Sequence, residues 1–369
     1  MPVDKIDIQF FEKTDSLAPS SHEMTRGQLY ESSKTWVCKK ISTSISARYE
    51  LLGQEFYRLI IPHQPETRIA RDFFDDQYYI LSEEIEGFSP LPLHQKAHFK
   101  NGYYSGLGQV LVVSIFLHEI DLNPGNLGIN RQGKVLKIDG DWSFAFVLHP
   151  ELFLDKPVHI TYELIDHLPF LNGYFAYNWL DIISVGRVYP ASNIVDTSLS
   201  DATDFKAEVN EAILKILCVP TWYLQQFIDR YVHRPTTALN DTLRSRQLDL
   251  KLSAMQRESF VRYLLSPLAR EILTDFRYQL KQFTAHIRFP IMSASSYEIF
   301  DRDLDAQFDD LVALGRTKRD LSPTTVVAMD GMVSSPVNVN GFFYAAKSTV
   351  TPLKRNKTSG NLASMSASI

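Results

Sequence analysis

Two cysteines in 369 residues, Cys38 and Cys218, are too few for a disulfide framework, and they suit a reducing cytosol. No long apolar run is present. The longest, Val110–Leu117 (VLVVSIFL), falls far short of the roughly 20 residues that span a bilayer. There is no basic excess either: 38 Lys and Arg against 43 Asp and Glu leave a net charge of −5. With a pI near 6.1, no global field favours nucleic acid. The N-terminal MPVDKIDIQFF lacks the charged and apolar blocks of a signal peptide. HEID is not the H-E-x-x-H zinc signature, the other histidines and the cysteines show no ligand spacing, and neither GFS nor GYYSG makes a nucleophile elbow. No internal repeat is visible. These absences predict a cytoplasmic, water-soluble protein without a transmembrane segment and without a nucleic-acid partner.

What is present describes a globular chain: 44% hydrophobic and 12% aromatic residues, in a length that allows one two-lobed domain or two ordinary ones. KTWVCKKI (Lys34–Ile41) reads as a strand, and Ile45–Ile60 as a helix with an apolar stripe at Leu52, Phe56, Leu59 and Ile60, stopped by Pro62 and Pro65. ETRIA and Gln77–Ile85 read as two further strands. A helix is expected over Tyr103–His118, then a hairpin turning at Gln132–Gly133. From Glu151 to Leu314 the pattern is helical, with MQRESFVRYLLSPLAREILTDFRYQLKQF among the helical runs. From Arg316 the composition turns to Ser, Thr, Asn and Gly, which predicts a mobile tail. The expected organisation is α+β and bilobal: a strand-rich lobe over 1–86, a helical lobe over 87–315 and a flexible tail over 316–369.

The densest chemistry lies in LHEIDLNPGNLGINRQGKVLKIDGDW (Leu117–Trp142). Asp121 and Asn126 are five residues apart across a Pro124–Gly125 turn, and Asp139 lies thirteen beyond Asn126. Folding the hairpin back brings Asn126 and Asp139 to one end. A carboxylate and an amide oxygen there suit Mg²⁺, a hard ion that takes few protein ligands and completes its shell with phosphate and water. Asp121 would then stand close enough to orient or deprotonate a hydroxyl attacking a phosphoryl group. Asn123 and Asn130 read as turn residues, and Asp141 as either a second metal contact or a solvated turn residue.

IDLNPGN resembles the protein-kinase catalytic loop with its D-L-K-P-x-N core, and the thirteen-residue step to KID is similar to the step to the metal-binding DFG aspartate. WVCKKI resembles the V-A-I-K strand. YELLGQEFYRLI with IPHQPET resembles the lysine-paired helix of the HipA-like and phosphoinositide-kinase-like atypical branch and of bacterial (Legionella-type) effector kinases. The resemblance covers about Lys34 to Phe144. It implies ATP and Mg²⁺ as cofactors, with Lys39 gripping the α- and β-phosphates and Lys40 as its competitor on the strand. It implies Glu50 or Glu55 as the partner of Lys39, the first by family position and the second by its place at the edge of the apolar stripe. QYYILSEEIEGF would be the strand and hinge, with the backbone of Glu84 and Ile85 holding adenine. Asn126 and Asp139 would hold the metal, and Asp121 would serve the acceptor.

Several departures shape the reading. No G-x-G-x-x-G precedes the lysine strand, where only Gly27 is available. Glu119–Ile120 stand where a kinase has the middle of H-R-D, the metal motif is DGD, and no A-P-E segment follows. The expectation is an atypical kinase acting on a protein Ser/Thr or a lipid hydroxyl, in the cytoplasm or as an effector in a host cell. The alternatives are a pseudokinase-like binding module, a phosphoinositide kinase and an adenylyltransferase. In the second lobe Arg234, Arg244, Arg246 and Lys251 form a candidate polyanion site, because Arg forks grip phosphates. An inositol polyphosphate activator or an anionic lipid headgroup would be its ligand.

Overall fold

Branched and aromatic residues alternating with polar ones build the first lobe as a sheet wrapped against one helix. A computed structural model describes residues 6–17, 23–30, 32–92, 96–153, 159–171, 176, 178–180, 182–183, 199–232, 237–286 and 294–320. β1 (Ile6–Asp7), β2 (Phe11–Ser16), β3 (Met24–Leu29) and β4 (Thr35–Ile41) precede helix α1 (Ser44–Ile60); β5 (Thr67–Asp72) and β6 (Gln77–Glu83) follow it. They form one six-stranded sheet, ordered β1-β5-β6-β4-β3-β2, antiparallel except for β1 beside β5. The pleat sorts β4 onto two faces. Trp36 and Cys38 join Phe11, Leu29, Ala70 and Leu81 in a small cluster, while Ile41 packs with α1 in the main core.

α1 is capped by Thr43, whose hydroxyl accepts the Ser46 amide at 3.1 Å. It ends just before Pro62, which has no N–H to continue the ladder. The helix is buried on more than its apolar stripe, because β5 and β6 cover one side and the second lobe the other. Gly27 lies in the middle of β3, paired with Trp36 of β4. A Cβ there would come within 2.2 Å of the Glu12 carbonyl and 2.6 Å of the Phe11 ring. Close packing of strands therefore requires this glycine, and it is not part of a phosphate loop. The turn topologically equivalent to such a loop joins β2 to β3, and its residues 18–22 lie outside the described residues.

The second lobe begins with β7 (Ser89–Pro90), α2 (Lys96–Lys100) and α3 (Leu107–Leu117), and continues with β8 (Asp121–Leu122), β9 (Leu127–Ile129) and β10 (Val135–Lys137). Short α4 (Ala145–Leu148) and α5 (Tyr162–Asp166) lead to β11 (Asn178–Trp179) and β12 (Ile182–Ile183). The helical mass is α6 (Thr203–Cys218), α7 (Thr221–Val232), α8 (Thr237–Gln256), α9 (Glu258–Leu264), α10 (Pro267–His286) and α11 (Ala294–Asp320). α3 is apolar all round because it is covered all round, by α6, α8, α1 and β10. No helix among the described residues is long and apolar enough to cross a membrane.

Three sequence expectations are corrected. α3 starts at Leu107, not Tyr103, because Gly106 before it takes a left-handed conformation with φ of 98°. The run from Met255 is divided among the end of α8, α9 and α10, with Pro267 at the start of α10, where a missing N–H costs least. α11 continues to Asp320, past the expected tail boundary at 316. By contacts the chain divides into Met1–Ser322 and Pro323–Ile369, and the second unit lies outside the described residues.

Candidate functional site

Three elements distant in sequence meet at one ammonium group. Lys39, buried on β4, donates from Nζ to Glu50 Oε1 of α1 at 3.2 Å, to Asp139 Oδ1 at 2.7 Å and to Asp141 Oδ2 at 3.2 Å. Lys40 is exposed on the other face, 4.0 Å from Glu23. The competition between the two lysines is thus decided by the pleat. Burial works against the charge of Lys39, but Glu50, Asp139 and Asp141 outweigh it and hold the ammonium charged far above its ordinary range. Burial pushes Glu50 up to about 8 even with Lys39 beside it, because Lys39 shares its single charge among three carboxylates. Asp139 is also raised by burial, but the charges of Lys39 and Lys137 prevail and bring it below its ordinary value.

Glu55 takes no part in this cluster. Its carboxylate pairs with Arg58, accepts the Thr67 amide at 2.8 Å and accepts the Tyr231 hydroxyl at 3.3 Å, which ties α1 to β5 and α7. α1 is buried on both flanks, so the edge of its stripe, where Glu55 lies, faces β5 and α7 and not Lys39.

The segment from Asp121 to Asn126 is held by its own amides. Asn123 Nδ2 donates to Asp121 Oδ1 at 3.0 Å and Asn126 Nδ2 to Asp121 Oδ2 at 3.3 Å. Asn123 also accepts the Gly125 amide at 2.8 Å, so it serves the turn and orients Asp121 together. With Nδ2 of Asn126 committed to Asp121, its Oδ1 is the atom left to meet a cation. β9 and β10 pair Leu127 with Lys137, and the Ile138 amide donates to the Asn126 carbonyl at 2.9 Å. Asn126 therefore stands beside the residue that precedes Asp139.

Beneath these loops lies a buried pair that the sequence reading missed. Glu119 Oε2 is 3.4 Å from Lys137 Nζ, and both side chains are at most 1% exposed. Glu119 also accepts the Asp121 amide at 2.9 Å and the Ser143 hydroxyl at 2.8 Å. Lys137 donates to the carbonyls of Ile138 and Asp139. The signal was Glu-Ile-Asp at 119–121 and Lys-Ile-Asp at 137–139: opposite charges, each two residues before a site aspartate. His118 precedes this pair, its ring against Phe146 and Phe153. Burial and then the charge of Arg246 pull it down to about 3, so it is neutral near pH 7 and an unsuitable acid.

Four carboxylates, at Glu50, Glu119, Asp139 and Asp141, face two ammonium groups, Lys39 and Lys137. The Asp121 carboxylate is held by Asn123 and Asn126 instead, so carboxylates outnumber the ammonium groups, which suits a divalent cation. Asp139 and Asp141, about 30% and 27% exposed, offer hard oxygen donors. The described residues contain no closed group of three or more His, Cys, Asp and Glu able to hold a metal alone.

At the expected hinge, the Glu84 amide donates to the Thr35 carbonyl at 2.8 Å, and its carboxylate pairs with Arg26 at 2.5 Å. The Glu84 N–H is therefore committed to extending the sheet. An adenine edge would use its carbonyl or the backbone of Ile85, whose own carbonyl accepts the Phe88 amide at 3.1 Å.

Of the candidate polyanion set, one member is turned inward. Arg246 is buried and donates to the carbonyls of Ile115 and Phe116, satisfying the end of α3, with its guanidinium over Phe146. Arg244 is exposed and Lys251 partly so on α8, and Arg234 lies outside the described residues. Nearby Arg257 is also spent internally, on Asp166 and Asn210.

No family model and no curated protein matches the sequence. Among solved structures, the chain is similar to the Helicobacter pylori proinflammatory kinase CtkA, at 10% identity over 86% of this chain and 99% of that one, with a TM-score of 0.33. It is also similar to the kinase domain of Mycobacterium tuberculosis PknI, at 13% identity over 73% and 96%, with a TM-score of 0.25. Likenesses this low carry no weight beside the geometry. A sheet bearing a buried lysine, one helix bearing its glutamate, and a helical lobe bearing an Asp–Asn loop and an aspartate on the following turn make the fold bilobal, α+β and protein-kinase-like.

Proposed function

We propose that this chain is an ATP- and Mg²⁺-dependent phosphotransferase of atypical kinase type, moving the γ-phosphoryl group of ATP to a hydroxyl, with protein Ser or Thr as the acceptor class. The observation that carries the reading is the meeting of Lys39, Glu50 and Asp139 at one point, beside a loop on which two amides hold Asp121. Lys39 would bind the α- and β-phosphates, Glu50 would keep Lys39 in place, and Asp139 with Asn126 would hold the metal. Mg²⁺, when bound, would neutralise phosphate charge. Asp121 would take the hydroxyl proton as the acceptor oxygen bonds to the γ-phosphorus and the bond to the bridging oxygen of ADP breaks. The HipA-like and phosphoinositide-kinase-like branch rests on the resemblance of Tyr49–Ile60 and the IPHQPET that follows, and the DGD motif and the Glu-Ile before Asp121 mark the kinase as atypical.

The test is incubation with γ-labelled and, separately, α-labelled ATP plus Mg²⁺ and a cell extract. Label from γ-ATP on protein supports the reading. Label from α-ATP means adenylylation, and γ-label in the lipid fraction means a lipid acceptor. Asp121→Asn is expected to cost about 10²–10⁴ in rate with ATP binding nearly unchanged. Asp139→Asn should abolish MgATP-dependent thermal stabilisation, which mass action sets at about 2.7 kcal/mol at a hundredfold excess over Kd. If wild type gains no stability from MgATP and transfers no label, the chain is a binding module and not an enzyme.

A further inference from the structure

We propose that the buried Glu119–Lys137 pair is a positioning device that locks the Asp121 loop and the Asp139 turn into one register. The inference rests on the phosphotransferase reading for the roles of those two aspartates, and on contacts alone for the lock. Glu119 holds the amide of Asp121 and Lys137 holds the carbonyl of Asp139, so each residue grips the backbone of the aspartate two positions on. The ion pair at 3.4 Å joins the two grips. Ser143 closes the ring from the far side of the turn by donating to Glu119, and Gln64 Oε1 fixes Lys137 by accepting its amide at 2.7 Å.

Two further features point the same way. Backbone in the left-handed region clusters here at non-glycine residues: His118 with φ of 54°, Asp139 with 68° and Phe144 with 60°. Such conformations persist only where surrounding contacts over-determine them. A buried ion pair is, besides, a poor way to gain stability, since desolvation offsets most of its attraction and apolar substitutes of similar volume often do as well. What apolar residues cannot do is accept an amide at one loop and donate to a carbonyl at the other.

The test separates positioning from stability. In Lys137→Met, kcat is expected to fall at least a hundredfold and KM for MgATP to rise with it, because the Asp139 turn that would hold the metal loses its backbone donor. Glu119→Met/Lys137→Met removes the unpaired buried charge together with the amide acceptor and should recover most of the lost Tm without recovering kcat. Recovery of kcat together with Tm overturns the proposal, as does an unchanged kcat in Lys137→Met. A readout independent of turnover is hydrogen exchange at the Asp121 amide without nucleotide. Protection is expected in wild type and its loss, by tenfold or more, in both variants. An inactive wild type that shows this pattern would sink the phosphotransferase reading and leave the lock standing. Equal protection in wild type and the double variant would sink the lock. If Lys137→Met alone fails to fold, the double variant carries both measurements.

Discussion

Gly53→Ala tests how tightly α1 is pressed against the DGD turn. Gly53 lies one turn after Glu50, and a Cβ built on it would sit 2.9 Å from both Cβ and Oγ of Ser143 and 3.7 Å from the Gly140 carbonyl. Carbon atoms pack at about 3.5–4.0 Å, so helix and turn would have to separate by roughly 0.6–1 Å. Two effects oppose each other. Alanine is favoured over glycine inside a helix by about 1 kcal/mol, while overpacking costs about 1–3 kcal/mol. The net is a destabilisation of roughly 0–2 kcal/mol, a few degrees in Tm at most for a chain of this size. Activity should respond more strongly, because α1 carries Glu50 and the turn carries Asp139, and both bond the same Nζ of Lys39. A displacement near 1 Å can cost about a hundredfold in rate. The assay pairs thermal melts with initial rates of phosphoryl transfer at saturating ATP. Adding Ser143→Gly removes both clashing atoms and should return part of the rate, though not all, since Ser143 also donates to Glu119. A Tm raised by the full propensity gain, with an unchanged rate, would refute the close approach and the coupling built on it.

The two glutamates of α1 should separate cleanly. Glu50→Gln is expected to cut the rate by at least tenfold with a modest change in Tm, whereas Glu55→Ala, which strands Arg58 and the Thr67 amide, should cost about 3–5 kcal/mol in a urea titration. His63→Gln concerns pH. Burial, only partly offset by the hydrogen bond between Nε2 and the Val135 carbonyl at 3.0 Å, lowers His63 from 6.5 to about 4. The native state therefore refuses a proton that the unfolded chain accepts. Stability is full above pH 6.5 and falls as pH drops towards 4, by up to roughly 3 kcal/mol. A glutamine, able to donate to the same carbonyl, should flatten that limb in melts between pH 4 and 7, and an unchanged slope would assign it to other groups. Arg246→Met should cost about 3 kcal/mol by leaving α3 carbonyls without their donors, while Arg244→Met on the exposed face should stay within about 0.5 kcal/mol. Equal losses in the two would contradict the inward placement of Arg246.

What the sequence made legible was local. The turn at Pro124–Gly125, the hairpin that follows it and the step from Asn126 to Asp139 lie within one short segment, where spacing and geometry are nearly the same statement. β4 and α1 were legible for the same reason, through pleat and helical period. What depended on a third element was not. Glu50 and Glu55 could not be ranked, because a wheel assumes one buried face and α1 has two. Arg244 and Arg246 looked alike as a basic pair, yet only the second reaches the end of α3, a fact set by how α8 crosses it. Gly27 looked like the remnant of a phosphate loop because it precedes the lysine strand, whereas the Phe11 ring on the neighbouring strand explains it. Lys137 passed as a hairpin lysine because its partner is eighteen residues upstream in a segment read for a different motif.

The same division between local and distant runs through the site. Glu119, Asp121, Asn126, Lys137, Asp139 and Ser143 lie within a single stretch of chain and bond one another, so this half can form with little loop closure. The other half, Lys39 and Glu50, comes from the first lobe, and the bond from Lys39 to Asp139 closes a separation of 100 residues. That one ammonium group is the clasp between the halves. Its three donors match the three carboxylates within 3.2 Å. A phosphate can reach Lys39 only if a carboxylate lets go, and of the three, Glu50 is held deepest while Asp139 and Asp141 are partly exposed and carry the oxygens suited to a cation. Cation and nucleotide would therefore each favour the other's arrival, by the same factor in both directions. Glu50, on the same lobe as Lys39, would hold the ammonium in place while the other two carboxylates exchange partners.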